Sequence, residues 1–196
     1  LRLAQVREPG APPSHPRSPL LAPLMPRARD QLICCEKHPE DKRTLSGLFD
    51  RTPNLQVHER DAYESLRALL PPAQARRGLV LMDPPFEEPN EFDRMAQGLH
   101  TIQQRFAPAV VALWYPIKHR TPVRTFEHAL MDAGTRDVLT AELLMRPPHD
   151  PDRLNGAGLM VIKPPYGFAQ EAQVLLDRLR TTLGAYESTV TTLIPE

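Results

Sequence analysis

Residues 79–87 read Leu-Val-Leu-Met-Asp-Pro-Pro-Phe-Glu. Four apolar residues follow Gly78 and two prolines close the run, the pattern of a buried strand of a parallel sheet that ends in a rigid turn. Asp83, Pro84, Pro85 and Phe86 then stand at the carboxyl end of that strand, where open α/β sheets hold their ligands. The four residue types suit the presentation of a planar amino group for attack. A carboxylate and a backbone carbonyl accept hydrogen bonds from an exocyclic NH2, and two prolines without N–H groups keep the turn stiff. Phe86 offers a face on which an unstacked base can lie. The plainer reading is a Pro-Pro turn with Phe86 as a core aromatic, and the surrounding chain has to choose between the two.

Outward from this strand, apolar runs alternate with helical periodicity. Upstream, residues 31–35 and 55–60 read as strands, with helices over 39–49 and 62–70. Downstream, 91–106 is a helix and 109–115 a strongly apolar strand. A helix over 123–132 stops at Gly134, and 136–144 is a strand. Residues 154–158 form a turn, 159–162 a strand, 171–183 a helix and 188–193 a Thr/Val-rich last strand. The alternation means a doubly wound sheet with a parallel core, and the last two or three strands form an antiparallel edge. The N-terminal part differs. Residues 1–8 show the weak alternation of a short strand, and 10–16 read as a loop. Ser18 and Pro19 suit the N-cap and first position of a short helix. Seven of the 23 prolines fall before residue 27, which rules out regular helix or central strand through that stretch.

The chain has 196 residues, 41% of them hydrophobic, and no net charge, so one globular domain over 15–196 with an irregular lead-in over 1–14 is the expectation. A neutral chain is no general polyanion binder; nucleic acid would need a local basic patch. Cys34 and Cys35 are adjacent and point to opposite faces of their strand, which suits packing rather than a disulfide or a metal pair. No apolar run approaches the roughly 20 residues of a membrane span, and a cytoplasmic monomer is expected.

Three acids, Glu36, Asp61 and Asp83, close three successive strands. In a parallel sheet such positions line one crevice. There an acid after the second strand takes ribose hydroxyls, another can accept from an adenine amino group, and Asp83 faces the substrate. Each alone could be a helix N-cap. No Gly-x-Gly-x-x-Gly, metal-ligand spacing or nucleophile elbow is present, so no metal is expected, and His38, His58 and His119 read as surface or supporting residues.

Asp83-Pro84-Pro85-Phe86 resembles motif IV, (Asp/Asn/Ser)-Pro-Pro-(Tyr/Phe/Trp), of the amino-group methyltransferases. With Ser18-Pro19-Leu20-Leu21-Ala22, Glu36-Lys37-His38-Pro39, Arg76-Arg77-Gly78-Leu79, Ala112 through Lys118, Asn155-Gly156-Ala157-Gly158, Lys163-Pro164-Pro165 and Ile194-Pro195-Glu196, the chain resembles the RlmJ family over 15–196. The resemblance implies a Rossmann-like class I methyltransferase fold, a mostly parallel sheet with an antiparallel C-terminal edge. It further implies methyl transfer from S-adenosylmethionine to an adenine N6 of 23S ribosomal RNA. Ser18, Glu36, Asp61 and Ala62 fall on its cofactor positions, and Asp83 on its catalytic one, with the Pro84 carbonyl and the Phe86 ring beside it. Ala62 stands for a usual glycine, as Arg17 does in Tyr-Pro-Gly-Ser-Pro, where His15 replaces the tyrosine. The family's first strand and glycine-rich loop match nothing here, so the chain is expected to correspond to its C-terminal two-thirds. Arg76, Arg77, Lys118, Arg120 and Arg124, interleaved with Trp114 and Tyr115, are the candidate RNA-facing patch. The rival expectations are an amino methyltransferase acting on DNA adenine or protein glutamine, and a catalytically incomplete fragment.

Overall fold

The computed structural model describes residues 30–73 and 75–195. The expected strand over 1–8 and the helix opening at Ser18 lie outside them. Packing divides the chain into two compact units, one ending at Ala68 and the other beginning at Leu69.

The first unit holds β1 (Leu32–Glu36), α1 (Pro39–Leu48), β2 (Leu55–Glu59) and all but the last residue of α2 (Ala62–Leu69), in that order. β1 and β2 pair in parallel, from Leu32 opposite Leu55 to Glu36 opposite Glu59, because α1 returns the chain to the starting edge. Pro39 opens α1 where no N–H partner is needed, and Glu40 and Asp41 in the first turn complement the helix dipole. Cys34 and Cys35 are free and half-buried, and burial pushes both thiols up.

The second unit holds β3 (Leu79–Met82), α3 (Glu91–Arg105), β4 (Val110–Ile117), α4 (Arg120–Asp132), β5 (Val138–Leu144), β6 (Gly156–Ile162), α5 (Phe168–Leu183) and β7 (Glu187–Ile194). The strand order is β3-β4-β6-β5-β7. β3 and β4 are parallel, and the other three pairings are antiparallel, so β3, β4 and β5 run one way and β6 and β7 the other. The antiparallel part comprises the last three strands, as expected, and it reaches inward, with β6 seated between β4 and β5.

The period of two sorts the sheet's faces. Val111, Leu113, Tyr115 and Ile117 of β4 are buried, with Met160 and Ile162 beside them on β6. Tyr115 meets Phe92 of α3 on this face, and Phe92 meets Phe126 of α4. The opposite face packs Leu139, Ala141 and Val190 against Ala172, Phe168 and Leu176 of α5. Gly134, at φ 74°, ends α4, with the Gly134 and Thr135 N–H groups donating to the Met131 and Leu130 carbonyls.

Three local expectations change. Gly156–Gly158, expected in a turn, belong to β6, because each pairs across both neighbours. β4 runs on through Pro116, which lies beyond the last β3 partner at Leu113, so its missing N–H interrupts no ladder with β3. β3 is buried on one side only. Met82 is buried, whereas Leu79 and Leu81, which share the other face, are 68% and 52% exposed; among the described residues β3 is an end strand of its sheet. Full burial would contribute roughly 1.5–3 kcal/mol for each leucine, a gain this pair largely forgoes.

Candidate active site

Asp83 follows β3 directly, and β4 runs parallel beside it. The carboxyl ends of these two strands, and of β5, therefore share one end of the sheet. Among the described residues, no hydrogen-bond donor or cation engages the Asp83 carboxylate. The residue is exposed, yet partial burial pushes its pKa up from the ordinary aspartate value.

Phe86 adopts φ 52°, a left-handed backbone that costs a bulky residue on the order of 1–3 kcal/mol. Its ring lies 5.0 Å from Phe92 at 64° and 6.0 Å from Trp114 at 68°. Phe92 stands in the first turn of α3, and Trp114 lies one position beyond Leu113, the β4 partner of Met82. Phe86 is thus half-buried at the strand end and tied by edge contacts to the ring cluster below. Phe92 adds a ring beside Phe86 that the sequence analysis did not single out. The signal was available: Phe92, Met95, Leu99 and Ile102 share one face of α3.

The candidate RNA residues separate. Lys118 follows β4 and is exposed at the Asp83 end. Arg76 and Arg77 are exposed but precede β3, at the opposite end from Asp83. The direction of β3 therefore puts Arg76 and Arg77 at one end of the strand and Asp83 at the other. Arg120 is committed to an ion pair with buried Glu142. Tyr115 is fully buried, with its hydroxyl donating to Glu142 Oε1 at 2.9 Å. Burial, and next the Glu142 carboxylate, push the Tyr115 phenol far up. His119 caps α4, its Nδ1 accepting from the Thr121 N–H.

Asn155 ties the loops at this end together. It is fully buried. Its side-chain amide donates to the Lys118 and Asp150 carbonyls at 2.6 and 2.7 Å. Its backbone N–H donates to the Ile117 carbonyl, and its carbonyl accepts from the Met145 and Arg146 N–H groups.

In the first unit, β1 and β2 bring Glu36 and Asp61 to the carboxyl end of one parallel pair. Glu36 Oε1 accepts from the His38 N–H at 2.9 Å. Asp61 Oδ1 accepts from the Tyr63 and Glu64 N–H groups at 2.9 and 3.3 Å, and Oδ2 lies 3.9 Å from Lys37 Nζ. Asp61 is therefore the N-cap of α2, and Ala62 is its first residue. Ser18 lies outside the described residues.

The family model described as "Ribosomal RNA large subunit methyltransferase D, RlmJ" matches residues 4–192. The chain belongs to the RlmJ family. Ribosomal RNA large subunit methyltransferase J of Escherichia coli is 35% identical over 185 residues, 93% of this chain and 66% of that protein. The protein of the same name from Haemophilus influenzae is 33% identical over 182 residues, 91% of this chain and 64% of its own length. A crystal structure of a protein from Legionella pneumophila superposes with a TM-score of 0.79 at 28% identity, covering 89% of this chain and 64% of that one. This RlmJ-family chain thus has the Rossmann-like α/β architecture, and it spans just under two thirds of the length of the curated relatives it matches.

Proposed function

We propose that this RlmJ-family chain carries out methyl transfer from S-adenosylmethionine to the N6 amino group of an adenine in 23S ribosomal RNA. The observation that carries the reading is the Asp83–Phe86 turn. There a carboxylate that no described residue engages and an aromatic ring held by edge contacts both follow the carboxyl end of a parallel strand. The names of the relatives supply the substrate class.

The donor set fits the cofactor. Glu36 and Asp61 are the carboxylates for its hydroxyl and amino groups, Ala62 offers backbone at a helix start, and Ser18 is assigned to the cofactor by the family resemblance alone. Asp61 serves while capping α2, which fixes its rotamer. When bound, S-adenosylmethionine supplies an electrophilic methyl group. The Asp83 carboxylate and the Pro84 carbonyl accept hydrogen bonds from the two amino N–H groups of adenine. That draws the nitrogen lone pair out of ring conjugation and holds it in line for attack. Phe86 stacks on the base, which must leave its own stack to reach Asp83. Lys118 is an exposed cation at this end, suited to a neighbouring phosphate. A ribosomal substrate puts the activity in the cytoplasm.

The test has two parts. Calorimetric titration with S-adenosylmethionine should show binding that Glu36→Ala and Asp61→Asn weaken. Radiolabelled transfer to unmethylated 23S ribosomal RNA should be lost in Asp83→Ala with cofactor affinity kept. Transfer that survives Asp83→Ala, or a preference for DNA or a glutamine peptide as acceptor, would overturn the reading.

A further inference from the structure

Phe86 holds a backbone conformation that bulky residues avoid, φ 52°, and such a residue persists where its surroundings over-determine it. Two prolines restrict the approach from one side, and α3 begins a few residues later on the other. Between them the Phe86 ring meets Phe92 and Trp114 at steep angles, 64° and 68°. Neither contact is a parallel stack, so neither ring takes the stacking position on Phe86. Phe92 is itself anchored, 5.2 Å from Phe126 of α4 and 6.5 Å from Tyr115 of β4. Tyr115 is fully buried. A continuous set of rings therefore runs from the core of the second unit to the turn that follows Asp83.

We propose that Phe92 and Trp114 are positioning residues for Phe86, setting its plane in advance for an unstacked purine. This rests on the methyl-transfer reading and names what holds its stacking surface. Preorganisation of this kind favours the reacting geometry because the ring need not be ordered when the base arrives. A turn of two prolines cannot do this alone. It fixes the backbone before Phe86, whereas the direction of the ring depends on what the side chain leans on.

Trp114 is the only tryptophan in the chain, so its emission reports on this corner and nothing else. In Phe92→Leu, acrylamide should quench Trp114 more readily. The kcat for methyl transfer should fall about tenfold or more, with the KM for S-adenosylmethionine unchanged. Phe92→Tyr should restore both. Circular dichroism and thermal melting establish that each variant is folded. Should Phe92→Leu fail to fold, Trp114→Phe carries the kinetic test, with the same fall in kcat at constant cofactor KM. Unchanged Trp114 quenching, or unchanged kcat, in folded Phe92→Leu overturns the proposal. Phe86→Ala separates the two levels. If it leaves kcat intact, the stacking role of Phe86 fails and the methyl-transfer geometry with it. If Phe86→Ala is inactive and Phe92→Leu is not, only the positioning role fails.

Discussion

Tyr115 reaches Glu142 across a strand that lies between them. Tyr115 on β4 and Glu142 on β5 are both in register with Gly158 of β6, and the phenol donates to the carboxylate at 2.9 Å. The ring passes where a side chain would stand, since a Cβ on Gly158 would lie 2.3 Å from Tyr115 Cζ. Arg120 closes the row from the start of α4 through its ion pair with Glu142. A buried carboxylate is costly unless it is paired and hydrogen-bonded, and here it is both.

Gly158→Ala should therefore destabilise by about 1–3 kcal/mol or more, and Tyr115→Phe by about 1–3 kcal/mol through the lost bond to a charged group. Gly158→Ala in a Tyr115→Ala background should cost much less than alone, because the clash is gone. Urea denaturation of the double-mutant cycle checks this, and additive effects would contradict the crossing.

The proposed methyl transfer predicts a pH dependence of activity through Asp83. Its carboxylate is the accepting form, and packing raises its pKa. As pH falls, transfer should decline earlier than for an ordinary aspartate, while cofactor binding persists. The pH profile of kcat, compared with calorimetry at the same pH values, reads this directly.

Glu127 gives a pH dependence of stability. Burial, and next the Glu142 carboxylate, raise its pKa, against opposing effects of Arg120, His128 and Arg124. A carboxyl raised on folding contributes stability that is full below its unfolded pKa and lost as pH rises through the folded one. Glu127→Gln should thus raise the melting temperature at neutral pH, and the gain should shrink in acid. Thermal melts across pH decide it.

Asp61 separates capping from binding. Asp61→Ala should cost about 1 kcal/mol through the lost cap of α2. Asp61→Asn keeps an accepting oxygen for the Tyr63 and Glu64 N–H groups and should melt near the wild-type temperature. Both should weaken S-adenosylmethionine binding in calorimetry.

Asn155→Ala removes two donors from the Lys118 and Asp150 carbonyls in a buried setting. A loss of about 1–3 kcal/mol is expected. Hydrogen exchange should quicken in the loop after β4 and in the loop between β5 and β6, with α5 unaffected.

Most elements were legible in the chain, because the signals that define them are local. Apolar runs or apolar alternation closed by an acid or a proline marked β1, β2, β3 and β4 within two residues of their ends, and helical spacing marked α1 through α5. The same local punctuation put Asp83 at a strand end. Gly156 and Gly158 misled, since glycines in sequence signal a turn, and only a neighbouring ring reveals that one of them makes room.

The sequence by itself thus determined the succession of strands and helices and the motif that follows β3, since periodicity and chain stiffness act between near neighbours. Only the tertiary structure decided that β6 sits between β4 and β5, that Arg120 turns to Glu142, that Arg76 and Arg77 lie away from Asp83, and that Phe92 and Trp114 meet Phe86 edge-on. Those outcomes depend on register between segments tens of residues apart, where packing and the pairing of buried charge choose among arrangements that local preferences leave equal.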